Sequence, residues 1–469
     1  MKKFLCMIVC VVSVMFCSSF VSAETSPSSE ITKTNKVSIS DKGVTNVLSD
    51  ENRYSKLTLS AGTKITVTNT SSISKIYIVW DKPPGEWTLS TSKSQDVTYG
   101  QKGFMHEYIE LPIATNDFTI TIKSPSVIIC DIYTFGDGDV PDWVQNWNIP
   151  YDDADMLLLP THGDDELIFF GGTIPYYAGE LGYRVQVAYM TNHWGEPYRP
   201  HEILNAMWAS GLKAYPIMGP FADIYSTSIE HAKKVYDYQK IVEFNTELIR
   251  RFKPEVIIGH DLKGEYGHGG HMINSLALTE ALDHSADSSF APESAQKYGV
   301  WDVQKTYLHL YAENKLYMNW DIPLSKFGGK TSFEVARDAF DNYYTSQKKY
   351  YSVKKVKGVY DNTDFGLYRT TVGNDILKKD FFENIPKTSL TPEESSIPES
   401  TSSLESTDDS SDVTLDNSPD KNKTSNKALV LVAFISVSAA LVTIVIISII
   451  KRINKNKRNK IKSRRKKVI

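Results

Sequence analysis

From Val37 to about Tyr133 apolar and polar residues alternate with a period of two. Lys56-Leu57-Thr58-Leu59, Lys64-Ile65-Thr66-Val67-Thr68, Lys75-Ile76-Tyr77-Ile78-Val79-Trp80 and Phe118-Thr119-Ile120-Thr121-Ile122-Lys123 carry the pattern. Ala61-Gly62, Pro83-Pro84-Gly85 and Thr115-Asn116-Asp117 punctuate it. Successive strand side chains point to opposite faces, so short alternating runs without a helical stretch predict an all-β sandwich over residues 37–135. Its expected role is left between carbohydrate binding and a structural spacer or lid. Gly136-Asp137-Gly138-Asp139-Val140-Pro141 marks a boundary. Beyond it, short apolar runs at 155–159, 184–190, 214–218 and 255–259 predict strands. Amphipathic stretches at 166–179, 199–210, 229–252 and 270–282 predict helices between them. This alternation predicts an α/β module over residues 150–384 with a Rossmann-like, mostly parallel sheet, whose ligands bind beyond the carboxyl ends of the strands.

The ends follow other patterns. Residues 1–23 read as a signal peptide: Lys2-Lys3, an apolar run from Phe4 to Phe20, then Val21-Ser22-Ala23. Residues 386–427 are rich in Ser, Thr, Pro and acidic side chains and predict a disordered linker. Ala428 to Ile450 contains no charge and is long enough to cross ~30 Å of hydrocarbon as one transmembrane helix. Residues 451–469 hold eleven Lys and Arg and no acid, and predict a cytosolic tail, leaving everything before the span outside.

That tail changes how the charge reads. The whole chain of 469 residues carries –4, so the rest carries –15, and an acidic body argues against nucleic-acid binding. Hydrophobic residues at 41% and charged residues at 23% exclude a wholly disordered or collagen-like chain. Once residues 1–23 are removed only Cys130 remains, in the apolar run Val127–Cys130, so a buried thiol and no internal disulfide are expected.

Nine of the ten histidines fall between His162 and His309; His106 stands apart. Two clusters lie between a predicted strand and a predicted helix: Thr161-His162-Gly163-Asp164-Asp165-Glu166 and His260-Asp261-Leu262-Lys263-Gly264-Glu265-Tyr266-Gly267-His268-Gly269-Gly270-His271. Both belong to one rim of the sheet. An Asp-Asp-Glu run before a helix is also a good N-cap, but two such junctions on one rim favour a metal site, in which His/His/Asp ligands leave a zinc position open for water. His260, Asn192, His193 and Trp194 fall near the same rim. His201 and His231, in predicted helices, are expected to be solvated, and His309, in an alternating stretch, to be structural.

The first cluster resembles the (A/P)HPDDE motif of the PIG-L/LmbE-like zinc de-N-acetylases, and Gly267-His268-Gly269-Gly270-His271 resembles that family's His-x-x-His motif. Arg199-Pro200-His201-Glu202, followed by Ala206 and Gly211, resembles its Arg-x-x-Glu helix. The resemblance implies one Zn2+ per chain held by His162, Asp165 and His271. It implies Asp164 as the general base, His268 as the group that stabilises the oxyanion, and Arg199 as a substrate contact. Gly163 stands where the family has Pro, and Gly269-Gly270 where it has Pro-Asp. The expectation is a membrane-anchored extracellular de-N-acetylase acting on an N-acetylated amino-sugar glycoconjugate. A non-catalytic surface glycan-binding protein is the competing expectation, and the full His/Asp/Asp/His set argues against it.

Overall fold

A computed structural model describes residues 28–386. The expected signal peptide, transmembrane helix, basic tail and all of the linker beyond Pro386 lie outside these residues. No helix among the described residues is long and apolar enough to cross a membrane.

The first module has eight antiparallel strands: β1 Lys36–Ile39, β2 Gly43–Thr45, β3 Leu57–Ser60, β4 Lys64–Trp80, β5 Trp87–Thr91, β6 Val97–Tyr99, β7 His106–Ile122 and β8 Ser126–Phe135. β4 and β7 pair along their length, with register shifts between Thr68 and Lys75 where the ribbon bends. One half of the ribbon continues into β1 and β2 on one side and β5 and β6 on the other; the other half pairs β4 with β8 and β8 with β3. The two halves close on one core, in which Ile65, Val67, Phe118 and Ile120 meet Leu59, Ile76, Ile109 and Ile129. The alternation fails between Ile76 and Trp80, all buried, because the second module covers the outer face there. Cys130 is buried and unpaired, as expected.

The second module has a six-stranded sheet made of β9 Met156–Leu158, β10 Val185–Val187, β11 Val256–Gly259, β12 Lys305–His309, β13 Lys315–Tyr317 and β14 Asp364–Thr370. The order is β10-β9-β11-β12-β14-β13; the first four run parallel and β14 is antiparallel to its neighbours. The chain leaves central β9 for β10 on one side and later returns to β11 on the other. Loops after β9 and β11 therefore part at a topological switch point, which opens a crevice.

Several expected elements differ. The helix expected over 166–179 is a single α-turn, Asp165–Ile168, followed by a π-helix, Ile174–Glu180. Gly171 at φ +55° interrupts it, and a Cβ there would meet Trp320 and Asn362 at 2.8 Å. The helix expected over 229–252 is two, Ile229–Val235 and Tyr238–Phe252, because Asp237 caps the second through the Lys240 N–H. Residues 214–218 make only single parallel bridges, Asn148 with Ala214 and Ala188 with Ile217. Pro216 and Pro220 have no N–H to extend a ladder. His201 is 2% exposed, not solvated: the helix Arg199–Ala209 turns it onto His106 of the sandwich, Nδ1 to Nε2 at 2.8 Å. His231 is exposed and His309 buried, as expected.

Candidate active site

The loop after β9 is wound tightly. The His162 N–H donates to Asp165 Oδ2 at 2.7 Å, turning that carboxylate back over the loop. Asp164, between them, sits at φ 136°, a backbone region that costs ~1–3 kcal/mol for a residue with a side chain. It is held there by Glu166, whose Oε2 accepts the Asp164 N–H at 2.9 Å while Oε1 accepts the Tyr344 hydroxyl at 2.6 Å. Asp164 and Asp165 side chains thus diverge.

The loop after β11 and the helix Gly269–Ser285 bring in the second cluster. His271 Nε2 lies 3.3 Å from Asp165 Oδ2 and 3.3 Å from His162 Nδ1, and His162 Nδ1 lies 3.1 Å from Asp165 Oδ2. These three donor atoms form a nearly equilateral triangle. Zinc bonds of ~2.0–2.1 Å make a tetrahedron with edges of about 3.3–3.4 Å, so the set fits such an ion with one vertex left over. The three expected ligands are therefore together, and all are buried.

Each ligand is oriented from behind. His271 Nδ1 donates to Glu265 Oε2 at 2.6 Å. The same carboxylate, fully buried, faces His260 Nδ1 at 3.0 Å and His309 Nδ1 at 2.8 Å. His260 Nε2 accepts the Thr161 N–H at 3.0 Å, which ties the two loops together. Carboxylates behind metal-ligating imidazoles fix tautomer and ring orientation. Burial opposes charge on His271, but Asp165 and Glu265 outweigh it and push its pKa up to about 10; against the same burial, His271 and His162 hold the Asp165 carboxyl, and His260 and His271 the Glu265 carboxyl, well below the usual range. A divalent cation would take the place of the His271 proton. On the other side Asp223 lies 3.4 Å from His162 Nε2 and 3.1 Å from His193 Nδ1.

The remaining expected residues surround this triangle. Burial pushes the Asp164 pKa up to about 7, against the pull of Arg199 and with Asp165 adding to the rise. His268 caps the helix: its Nδ1 accepts the Gly270 N–H at 3.1 Å, so the proton of the neutral ring is on Nε2. Burial, with His162 and His271 nearby, pushes its pKa down to about 3, which keeps the ring a neutral donor. A Cβ at Gly270 would lie 3.0 Å from His268 Cε1 and 3.3 Å from His162 Cε1, so glycine there leaves the two rings their room.

Arg199 is 3% exposed, donates to the Gly163 carbonyl at 2.5 Å and comes within 3.5 Å of Asp164 Oδ2. Glu202 does not reach the cleft; it binds Thr345 and Ser346, which brings Gln347 to the wall. The cleft, about 280 Å3, is lined by His162 and Asp165 of the triangle, by Asp164, His268, Arg199 and Asp223, and by an aromatic mouth of Tyr225, Tyr266 and Tyr351.

Glu265 and Asp223 were not among the expected site residues. Glu265 stands three positions before His268 in the second cluster, a position that could have been read. Asp223 follows the bridge-forming segment and has no local motif. His193 is buried behind Asp223, and Trp194 is half-buried against the core.

A family model described as PIG-L, GlcNAc-PI de-N-acetylase, matches residues 157–282. A 1D-myo-inositol 2-acetamido-2-deoxy-alpha-D-glucopyranoside deacetylase of Catenulispora acidiphila is 26% identical over 213 residues, covering 40% of this chain and 64% of its own. One from Saccharopolyspora erythraea is 28% identical over 178 residues, covering 32% and 63%. The chain thus spans less than two thirds of the length of these relatives. Among solved structures, N,N'-diacetylchitobiose deacetylase from Pyrococcus horikoshii aligns at 17% identity over 47% of this chain and 86% of its own, with a TM-score of 0.31. The family 32 carbohydrate-binding module of C. perfringens NanJ aligns at 9% identity over 23% and 99%, with a TM-score of 0.20. Residues 157–282, which carry both loops and the helix between them, are a domain of the PIG-L family.

Proposed function

We propose that the protein is a zinc-dependent de-N-acetylase that hydrolyses the acetamido group of an N-acetylhexosamine unit in an extracellular glycoconjugate. The observation that carries this reading is the triangle of His162 Nδ1, Asp165 Oδ2 and His271 Nε2, with Asp164 and His268 beside it. A divalent cation bound there supplies Lewis acidity for water and for the acetyl carbonyl.

The side chains do the rest. Asp164, near pH 7 in pKa, takes a proton from the attacking water. As the new C–O bond forms, the negative charge on the carbonyl oxygen is met by the His268 Nε2–H. Asp164 passes its proton to the departing nitrogen as the C–N bond breaks, leaving acetate and an amine. Arg199 holds the Gly163 carbonyl and steadies Asp164. Tyr225, Tyr266 and Tyr351 offer apolar faces to a sugar ring.

The relatives' names support the substrate class, and the apolar runs at both ends support an exported chain anchored through residues 428–450. The test is acetate release from N-acetylated oligosaccharides by the purified full chain. Release should stop on chelation, return with zinc, and be lost in Asp164→Asn with metal content retained. Release that persists after complete chelation would overturn the reading.

A further inference from the structure

Where the sandwich meets the helix Arg199–Ala209 a second cleft of about 340 Å3 opens, and it shares no lining residue with the first. Its floor is the outer face of β4 and β8, including Tyr77, Asp131 and Tyr133. Asp131 is 1% exposed, and neither carboxylate oxygen accepts a hydrogen bond. The backbone N–H groups of Glu51 and Asn52 approach it without closing one. A buried acceptor without a partner costs ~1–3 kcal/mol, and more when charged. Such a group in a folded protein takes its partner from solvent or from a ligand that displaces it.

The surroundings indicate which partner. Among the described residues lining this cleft, Asp131 alone has buried hydrogen-bonding capacity left unspent. His106 and His201 are spent on each other, and Gln145 on Asn205. Arg53, the one guanidinium, lies over the Tyr54 ring at 5.3 Å and makes no ion pair with Asp131. Burial, with Asp50 and Glu51 adding to it, pushes the Asp131 pKa up to about 7, so its ionised form is short of positive charge and selects a donor that carries one, since a charged partner neutralises what a hydroxyl would only solvate. Beside it Trp143 packs edge-on against Tyr77 at 5.7 Å and Tyr133 at 5.0 Å, and is itself 39% exposed. Aromatic faces next to a carboxylate suit both an ammonium group and the C–H face of a sugar.

We propose that this junction cleft binds the free-amine form of a hexosamine unit, with its ammonium on Asp131 and its ring against Tyr77, Tyr133 and Trp143. The choice of sugar rests on the proposed de-N-acetylase activity, whose product carries that amine; the ammonium recognition rests on the cleft alone. Arg199 of the first cleft and His201, Asn205 and Trp208 of the second belong to one helix, so a deacetylated stretch of glycan held at the junction would keep its neighbouring units close to the hydrolytic site.

The test uses the full chain with Asp164→Asn, so that nothing is turned over, titrated calorimetrically with a glucosamine tetramer and with an N-acetylglucosamine tetramer. The amine form should bind, and adding Asp131→Asn should weaken it about tenfold or more, ~1.4 kcal/mol. Trp143→Ala should weaken it as well, while affinity for the acetylated form stays unchanged in Asp131→Asn. Because burial and the acidic neighbours disfavour the charged Asp131 carboxylate in the fold, Asp131→Asn should melt no lower than its parent. No binding of the amine form, equal binding after Asp131→Asn, or a lowered melting temperature overturns the inference. Acetate release by the wild-type chain is scored separately. Absent release with Asp131-dependent binding defeats the proposed activity alone; release with Asp131-independent binding defeats the ammonium site alone.

Discussion

Gly163 donates its backbone N–H to His193 Nε2 at 3.0 Å, a bond that proline, the residue familiar at this place in the motif, has no hydrogen to make. His193 Nδ1 in turn faces Asp223, and Asp223 faces His162. A departure from the family motif is thus built into the support of His162.

Gly163→Pro tests that link. A Cβ at 163 would lie 2.3 Å from Ile203 Cδ1, and overpacking of this kind costs ~1–3 kcal/mol. His193 Nε2 would also lose its donor, since the Thr191 hydroxyl, 3.5 Å away, is committed to the Thr161 carbonyl. Gly163→Pro should therefore lower the melting temperature and the rate of acetate release. Adding Ile203→Ala removes the clash, and release should still fall about tenfold below that of Ile203→Ala alone, ~1.4 kcal/mol on the barrier. Gly163→Ala with Ile203→Ala keeps the N–H and should match Ile203→Ala alone. Equal rates in the proline and alanine doubles would remove the hydrogen bond from the account.

Asp223→Asn should weaken zinc binding ~10–100-fold, the range for loss of a carboxylate behind a ligating imidazole. Against burial, His193, His162 and Arg199 hold the Asp223 carboxyl well below the usual carboxylate range, so Asp223→Asn should also lower melting measured with chelator present at pH 7. Competition against a fluorescent chelator reads the affinity. An unchanged dissociation constant would show that His162 is oriented without Asp223.

Glu265 faces three imidazoles at once, so Glu265→Gln turns an NH2 group toward at least one ring N–H. Removing one partner of a buried charged set costs ~3–5 kcal/mol. Urea denaturation of the metal-free protein should show that loss, and zinc affinity should fall with it because His271 loses its support. A stability change below ~1 kcal/mol, the size of an ordinary substitution, would contradict the central place given to Glu265.

These residues also mark where sequence reading stops. His162, Asp165 and His271 were legible because each stands in a short motif at a strand–helix junction, and switch-point topology then forces the junctions together. The alternation that announced β4 and β7 was legible for the same local reason. Asp223 reaches His162 from a separate loop, and no spacing encodes that approach. His201 looked solvated because helical periodicity says which residues share a face, not what covers it. The cover is the sandwich, whose outer face at Tyr77 and His106 carries no sign of it beyond a run buried on both sides. Helix breaks at Gly171 and Asp237 were missed because amphipathic stretches on either side continue the same period.

The junction itself should respond to acid. Gln145 Oε1, which also accepts the Trp147 indole N–H, takes the proton on His106 Nδ1 at 2.9 Å, so His106 Nε2 accepts from His201 Nδ1. This chain needs both rings neutral. Burial, with Arg53 and Lys56 nearby, pushes His201 down to about 3; burial and His201 hold His106 well below the ordinary imidazole value. The unfolded chain takes up protons near pH 6.5 that the folded chain refuses, so stability is full above that pH and is lost as pH falls toward 3. At pH 5 each ring accounts for about 2 kcal/mol, from 1.36 kcal/mol per pH unit below ~6.5. Urea denaturation at pH 7.5 and pH 5 should show the loss, and His201→Asn, whose amide can still donate to His106, should remove about half of the histidine contribution. Other titrating groups are common to both proteins, so the difference between the two slopes isolates this ring. Parallel slopes would mean that the pair accepts a proton in the folded protein and that the junction is not sealed by neutral imidazoles.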